Sequence, residues 1–257
     1  MPLLHIDNLS RNFDGVKAVD NLSLSVGKGS VTALIGPNGA GKTTLFNLIT
    51  GFQRPAAGKI TFDGKEITRL SPHRIVSRGI GRTFQTVRLF PRMTVLDNLM
   101  LSLSSKSTEG LFTALAGNSS LRRTEAENRE KAVRLLESVG LSHKRNDNGE
   151  TLSFGQRRLV EILRTLALEP RLCMFDEPVS GVFPEMIPTI LEVMREQKAQ
   201  GRTVFFIEHN METVREIADR VIVLHHGQKL AEGTPEEIFN HEGVHEAYFG
   251  KRRNHAP

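Results

Sequence analysis

The chain of 257 residues contains no tryptophan, one tyrosine (Tyr248) and one cysteine (Cys173). A single cysteine excludes an internal disulfide and suits a reducing compartment. Long apolar runs are also missing. Nothing approaches the roughly 18 to 20 consecutive apolar residues of a membrane span. The opening M-P-L-L-H-I-D lacks the basic start and apolar stretch of a secretory signal. No internal repeat is evident. No cysteine or carboxylate cluster at ligand spacing accompanies His225-His226, which argues against a zinc site there and favours a strand-end turn. Apolar residues make up 39% and charged residues 25%, ordinary for a globular protein, and the formal net charge is +5. That charge suits an anionic ligand, a nucleic acid or an anionic membrane face without choosing among them. The nearest thing to a basic run, Lys251-Arg252-Arg253, is short and close to the end, so no nucleic-acid partner is expected.

The organising stretch is V-T-A-L-I-G-P-N-G-A-G-K-T-T-L-F-N-L-I-T-G, residues 31 to 51. Val31 to Ile35 is an apolar run of one buried strand's length. Gly36, Gly39 and Gly41 punctuate a loop, and Leu45, Leu48 and Ile49 recur at helical spacing from Lys42 up to a stop at Gly51. Strand, glycine loop and helix form the setting of a phosphate-binding loop. Glycines let backbone N–H groups converge on phosphates, and the helix start adds unpaired amides and the positive end of its dipole. Lys42 can reach the terminal phosphates and the Thr43 hydroxyl a magnesium ion. A nucleoside triphosphate is the expected ligand.

Alternation at Leu4 and Ile6, then at Leu22, Leu24 and Val26, with Asp14-Gly15 between, predicts antiparallel sheet. Residues 59 to 64, ending in Asp63-Gly64, predict another strand and turn. From about residue 87 the character becomes helical: an apolar patch at Leu111, Phe112 and Leu115, a capping box of Thr124 with Glu127, and a helical face of Ala132, Val133, Leu136 and Val139 closed by Gly140. Short apolar runs at 172 to 175, 204 to 207 and 221 to 224, with helical stretches such as 187 to 200 between, predict a parallel sheet covered on both faces.

The run at 172 to 175 ends in Asp176 and Glu177, and that at 204 to 207 in Glu208-His209. Ligands of parallel α/β folds sit at the carboxyl ends of strands. Asp176 is therefore placed to hold magnesium, Glu177 to polarise an attacking water, and His209 to hydrogen-bond the terminal phosphate or that water. Ser153 in Leu152-Ser153-Phe154-Gly155-Gln156 can cap the next helix, with Gly155 leaving its start open to an anion. Phe13, beside a turn, reads either as a ring for base stacking or as a core aromatic. Gln85, in R-T-F-Q-T, is a lone polar side chain where sheet gives way to helical insert.

Five motifs in this order, G-P-N-G-A-G-K-T at 36 to 43, Gln85, L-S-F-G-Q at 152 to 156, L-C-M-F-D-E at 172 to 177, and His209, resemble the nucleotide-binding subunit of ABC transporters over nearly the whole chain. The resemblance implies one α/β domain over 1–257. Residues 1–86 and 155–257 would form a P-loop NTPase (RecA-like) core with an N-terminal antiparallel β part, and 87–154 a helical subdomain insert. It implies ATP and Mg2+ as cofactors. The nucleotide would be held by Gly36, Asn38, Gly39, Ala40, Gly41, Lys42, Thr43 and Thr44, with Phe13 stacked on adenine. Asp176, with Thr43 and Gln85, would attend the metal, and Glu177 and His209 would be catalytic. Ser153, Gly155 and Gln156 would close over ATP bound by a second ABC ATPase subunit, alike or different. The other implied partners are transmembrane permease subunits and, indirectly, a substrate-binding protein, with the chain peripheral on the cytoplasmic face of the inner membrane.

The segment G-I-G-R-T-F-Q-T-V-R-L-F-P-R-M-T-V-L-D-N-L, the insert after it, and I-E-H-N-M with A-E-G-T-P-E-E-I are similar to importers of branched-chain amino acids and related amides or urea. G-V-H-E-A-Y-F-G is similar both to these and to the lipopolysaccharide-export ATPase, which leaves export as the alternative, beside a soluble non-transport ABC ATPase. Phe154 stands where the family usually has glycine or a small or aromatic residue. Phe183 stands where it typically has Asp or Asn, a position that couples the two ATP sites.

Overall fold

The computed structural model describes residues 2–87, 89–107 and 117–249. Their contacts divide into two compact units, one of Met1–Arg82, Arg171–Pro178 and Met194–Pro257, the other of Thr83–Pro170 and Val179–Val193.

The first unit holds both sheets. Strands β1 (Pro2–Phe13), β2 (Val16–Gly27), β4 (Ala57–Phe62) and β5 (Lys65–Glu66) form an antiparallel sheet in the order β2-β1-β4-β5. Its two tight turns are those expected: Asp14 and Gly15 have φ of 44° and 87°, Asp63 and Gly64 of 48° and 73°. Both residues of such a turn need positive φ, which Asp-Gly supplies at low cost. The alternation along β1 is weak in the sequence because the pairing with β2 is interrupted by register shifts, and Asn8 and Asn21 adopt φ near 50°. Each bulge moves the side chains that follow onto the other face and breaks the period of two.

The second sheet has six strands in the order β10-β9-β3-β8-β7-β6: β3 (Val31–Ile35), β6 (Ile80–Arg82), β7 (Leu172–Asp176), β8 (Thr203–Ile207), β9 (Arg220–His225) and β10 (Gln228–Gly233). All neighbours are parallel except β9 with β10. Every residue of β3, β7 and β8 is buried, so these strands read as nearly continuous apolar runs rather than alternating ones. Helix α1 (Lys42–Ile49) buries Leu45, Phe46, Leu48 and Ile49 in a core shared with β1, β2, β4, β7, β8 and β9, where the Phe46 and Phe205 rings lie 5.1 Å apart. Gly51, at φ 73°, stops it; a Cβ there would lie 2.7 Å from the Leu70 carbonyl oxygen. Helix α2 (Pro72–Ser77) leads into β6. The β9–β10 connection is the turn His226-Gly227, with φ of 47° and 77°.

The second unit is helical: α3 (Val95–Ser107), α4 (Gly117–Ser138) and α5 (Phe154–Ala167). The expected insert 87–154 lies within it, and the unit also takes in α5 and residues 179 to 193. Helix α4 starts at Gly117, so Thr124 is an interior residue and not an N-cap. A Thr and a Glu three apart also share one face of a continuing helix, where Glu127 accepts from Arg123 Nε at 3.0 Å. Gly140, at φ 70°, ends α4, with the Leu141 amide donating to the Leu136 carbonyl. Leu111, Phe112 and Leu115 lie outside the described residues. Helix α6 (Ile187–Ala199) begins in this unit and ends in the first. The remaining helices, α7 (Met211–Ile217), α8 (Pro235–Phe239) and α9 (Glu242–Phe249), belong to the first. No helix among the described residues is long and apolar enough to cross a membrane.

Candidate functional site

The loop after β3 is built from close backbone approaches. Gly36 has φ 151°, and a Cβ there would sit 2.2 Å from the Leu224 carbonyl oxygen; Gly41 has φ 101°, and its Cβ would sit 2.2 Å from that of Ala18. Ala40 is buried, its amide on Pro37 O and its carbonyl accepting from Gly227. Asn38 and Gly39 are exposed. The β1–β2 hairpin and the β9–β10 turn thus clamp the loop from outside, leaving little freedom at Gly36 and Gly41. Gly41 is the N-cap of α1; no side chain caps that end and no carboxylate occupies its first turn. The amides from Lys42 onward keep the character of an anion site. Lys42 Nζ donates to Gly36 O (2.6 Å) and Pro37 O (3.0 Å). Burial lowers its pKa, against the opposing pull of Glu177 and Asp176.

Those carboxylates follow β7 at the same sheet edge. Asp176 is 1% exposed, and its Oδ2 accepts from Arg82 Nη2 at 3.0 Å, both side chains being buried. Glu177 turns into left-handed backbone, φ 51°, its amide donating to Ile207 O at 3.0 Å. A non-glycine residue held there costs about 1 kcal/mol or more, a strain that concentrates at functional positions. Glu177 Oε1 lies 3.9 Å from Nδ1 of His209, whose side chain is 60% exposed. Glu208 is wholly buried and its Oε2 accepts from the amides of His209 (2.9 Å) and Asn210 (3.1 Å), locking the segment that presents the imidazole. Phe13 ends β1 and is partly exposed, with the Arg11 guanidinium 4.7 Å from its ring centroid. The first unit therefore brings together the loop, Asp176, Glu177 and His209 at the carboxyl edge of one sheet, with Phe13 on the hairpin that clamps the loop.

Gln85, Ser153, Gly155 and Gln156 lie in the second unit. Ser153 caps α5: its Oγ accepts from the Gln156 amide (3.3 Å), and Gln156 Oε1 accepts from the Ser153 amide (3.0 Å). A Cβ on Gly155 would sit 2.6 Å from Met186 Sδ. Within α5, Arg158 and Glu161 form an ion pair at 2.9 Å with both side chains almost fully buried. The pair grips the residue before Gln85: Arg158 Nη1 donates to Phe84 O (2.7 Å), and the Phe84 amide to Glu161 Oε1 (3.3 Å). The helix that carries the Ser153 motif thus also holds the Gln85 segment. Phe183, 67% exposed, precedes the short turn Pro184–Met186.

Sequence reasoning passed over Arg82, Glu208 and the Arg158–Glu161 pair. Glu208 stood beside His209 at a strand end and was readable there. Arg82 closes a three-residue strand interrupted by glycine, too short for a periodic signal. Nothing in R-R-L-V-E marks Arg158 as buried.

A glycine loop at a helix start, with two carboxylates and a histidine along the same parallel-sheet edge, defines a P-loop nucleotide-binding protein. The sequence pattern of the "ABC transporter" family matches residues 19–180, and that of the "Branched-chain amino acid ATP-binding cassette transporter" family matches residues 228–253. The chain is 39% identical to the high-affinity branched-chain amino acid transport ATP-binding protein BraF of Pseudomonas aeruginosa, covering 97% of this chain and 98% of that protein, and 39% identical to LivG of Escherichia coli K12 over the same shares. It is 35% identical to the lipopolysaccharide export system ATP-binding protein LptB of Haemophilus influenzae, covering 98% and 99%. A nucleotide-free ATP-binding cassette of an ABC transporter superposes with a TM-score of 0.85 at 37% identity, covering 98% of this chain and 100% of that one. A cassette in its ADP conformation gives 0.83 at 36%, with the same coverage. The chain belongs to the ABC transporter family, as an ATP-binding cassette of the P-loop NTPase fold.

Proposed function

We propose that the chain is the ATPase subunit that powers an importer of branched-chain amino acids or related small polar solutes. The observation that carries the reading is the alignment of Lys42, Asp176, Glu177 and His209 along one sheet edge. The match of residues 228–253 favours import. An exporter ATPase is the second reading, resting on the lower identity to the lipopolysaccharide-export protein.

Loop amides and the α1 dipole gather the phosphates, and Lys42 moves from its carbonyl partners to the terminal phosphates. Phe13 offers a ring to the base. Glu177 accepts the proton of an attacking water, while His209 holds the terminal phosphate and orients Glu177. Among the described residues no three His, Cys, Asp or Glu side chains gather around one metal position. Magnesium suits what is present, since it binds through one or two protein oxygens completed by phosphates and water. Asp176 and the Thr43 hydroxyl are such oxygens, with Gln85 a third candidate, and the ion would neutralise phosphate charge. Gln85 registers nucleotide state, and Ser153, Gly155 and Gln156 are presented to ATP held by a second ATPase subunit. The permease is made of other chains, with this one peripheral on the cytoplasmic face of the membrane.

Glu177→Gln should keep ATP affinity, lose at least ~100-fold in turnover, and accumulate as a dimer on size-exclusion chromatography in ATP. Turnover at the parental rate would remove Glu177 from the reaction. Co-expressed with its permeases in vesicles, the chain should support ATP-dependent uptake of labelled leucine; ATP-dependent release of lipopolysaccharide instead would establish the exporter reading.

A further inference from the structure

Arg82 is the last residue of β6, and its guanidinium joins the two elements on which the metal-side oxygens stand. Nη2 donates to Asp176 Oδ2 at 3.0 Å, while Nη1 donates to Asn47 Oδ1 (2.8 Å) and Thr50 Oγ1 (3.0 Å) on α1 and its C-cap. Asn47 is one helical turn beyond Thr43. Thr50 is fixed in turn, its hydroxyl donating to Phe46 O at 2.6 Å, and the guanidinium lies 5.5 Å from the Phe46 ring centroid. The Arg82 and Asp176 side chains are only 5% and 2% exposed. A planar fork cannot slide along its partners as an ammonium can, so it sets both the carboxylate rotamer and its spacing from α1.

We infer that Arg82 is a positioning residue for magnesium: by tying Oδ2 of Asp176 to the side chains of Asn47 and Thr50, it aligns the Asp176 carboxylate with Thr43 to receive the ion. This rests on the proposal that Asp176 and Thr43 are the metal-side groups. A salt bridge that served only the fold would affect nucleotide binding alike with and without the ion. One that orients a metal ligand affects the metal-dependent part, and such partners typically contribute 10- to 100-fold in metal affinity.

The test is calorimetric titration of the full chain with the non-hydrolysable analogue AMP-PNP, in EDTA and in graded MgCl2. Arg82→Met should leave affinity in EDTA within about twofold and raise the Mg2+ concentration for half-maximal enhancement about tenfold. Arg82→Lys should fall between, because an ammonium keeps the charge but not the fork. Asn47→Ala should shift in the same direction by less. An Arg82→Met protein with parental Mg2+ dependence overturns the inference, as does one that loses affinity equally in EDTA and Mg2+. Should Arg82→Met not fold, unchanged Mg2+ dependence in both Arg82→Lys and Asn47→Ala overturns it. Asp176→Asn separates the two readings. If it abolishes the Mg2+ dependence while the Arg82 variants do not, the Arg82 role alone fails; if it too keeps the dependence, the metal-side assignment fails.

Discussion

Gly41 and Gly39 sit two residues apart in one loop, yet the backbone asks different things of them. Gly41 needs positive φ, 101°, and has the Ala18 carbonyl where a Cβ would go; Gly39 needs positive φ, 80°, with nothing within 4 Å of a Cβ. Gly39→Ala should lower the free energy of unfolding by about 1 kcal/mol, the conformational cost alone. Gly41→Ala should cost about 2 kcal/mol or more, because a strand backbone cannot step aside as a side-chain tip can. Urea unfolding of both variants measures this, and equal losses would refute the clamp on Gly41. The residues of the loop, Asp176, Glu177 and His209 were legible in the sequence because each stands at a boundary that punctuation and apolar runs mark. Arg82 and Arg158 were not. Their burial depends on acceptors 94 and 74 residues away in the chain, at Asp176 and Phe84, and an arginine in a sequence reads by default as surface.

At the scale of elements, α5 has two tasks inside the second unit: its capped start presents the Ser153 motif, and its buried ion pair grips the backbone at Phe84. Removing one partner of a buried pair leaves an uncompensated charge, so Arg158→Met should lower unfolding free energy by about 3 kcal/mol, measured by denaturant titration. A change under about 0.5 kcal/mol would mean that the pair is dispensable to the fold. Central strands β3, β7 and β8 were legible because burial on both faces leaves mostly apolar residues along them, with the polar ones confined to Thr32, Asp176 and Thr203. Strand β6 was not: its three residues take their identity from pairing with β7 through Ile80, Gly81 and Arg82. The end of α4 at Gly140 was readable from its glycine, whereas its start at Gly117 was obscured by an interior Thr and Glu that imitate a cap.

For the whole molecule, Cys173 offers a direct measure of integrity. It is fully buried in β7, and burial pushes its thiol up to about 12, so thiolate is scarce at neutral pH. Native protein should not react with Ellman's reagent, and one equivalent should appear in step with unfolding in urea. Reaction of the folded protein at the rate of a small thiol would contradict the buried placement of β7. By itself the sequence determined that this is a P-loop ATPase of the ABC transporter family, because phosphate chemistry demands particular residue types at fixed short spacings that survive in a linear reading. It also determined the alternation of parallel strands and helices, since a strand covered on both faces is built mainly of apolar residues. Only the tertiary structure decided which distant groups support that chemistry: the Ala18 carbonyl against Gly41, Arg82 on Asp176, Arg158 on Phe84. These contacts join segments far apart in the chain, and their geometry comes from strand order and packing, which no local spacing encodes.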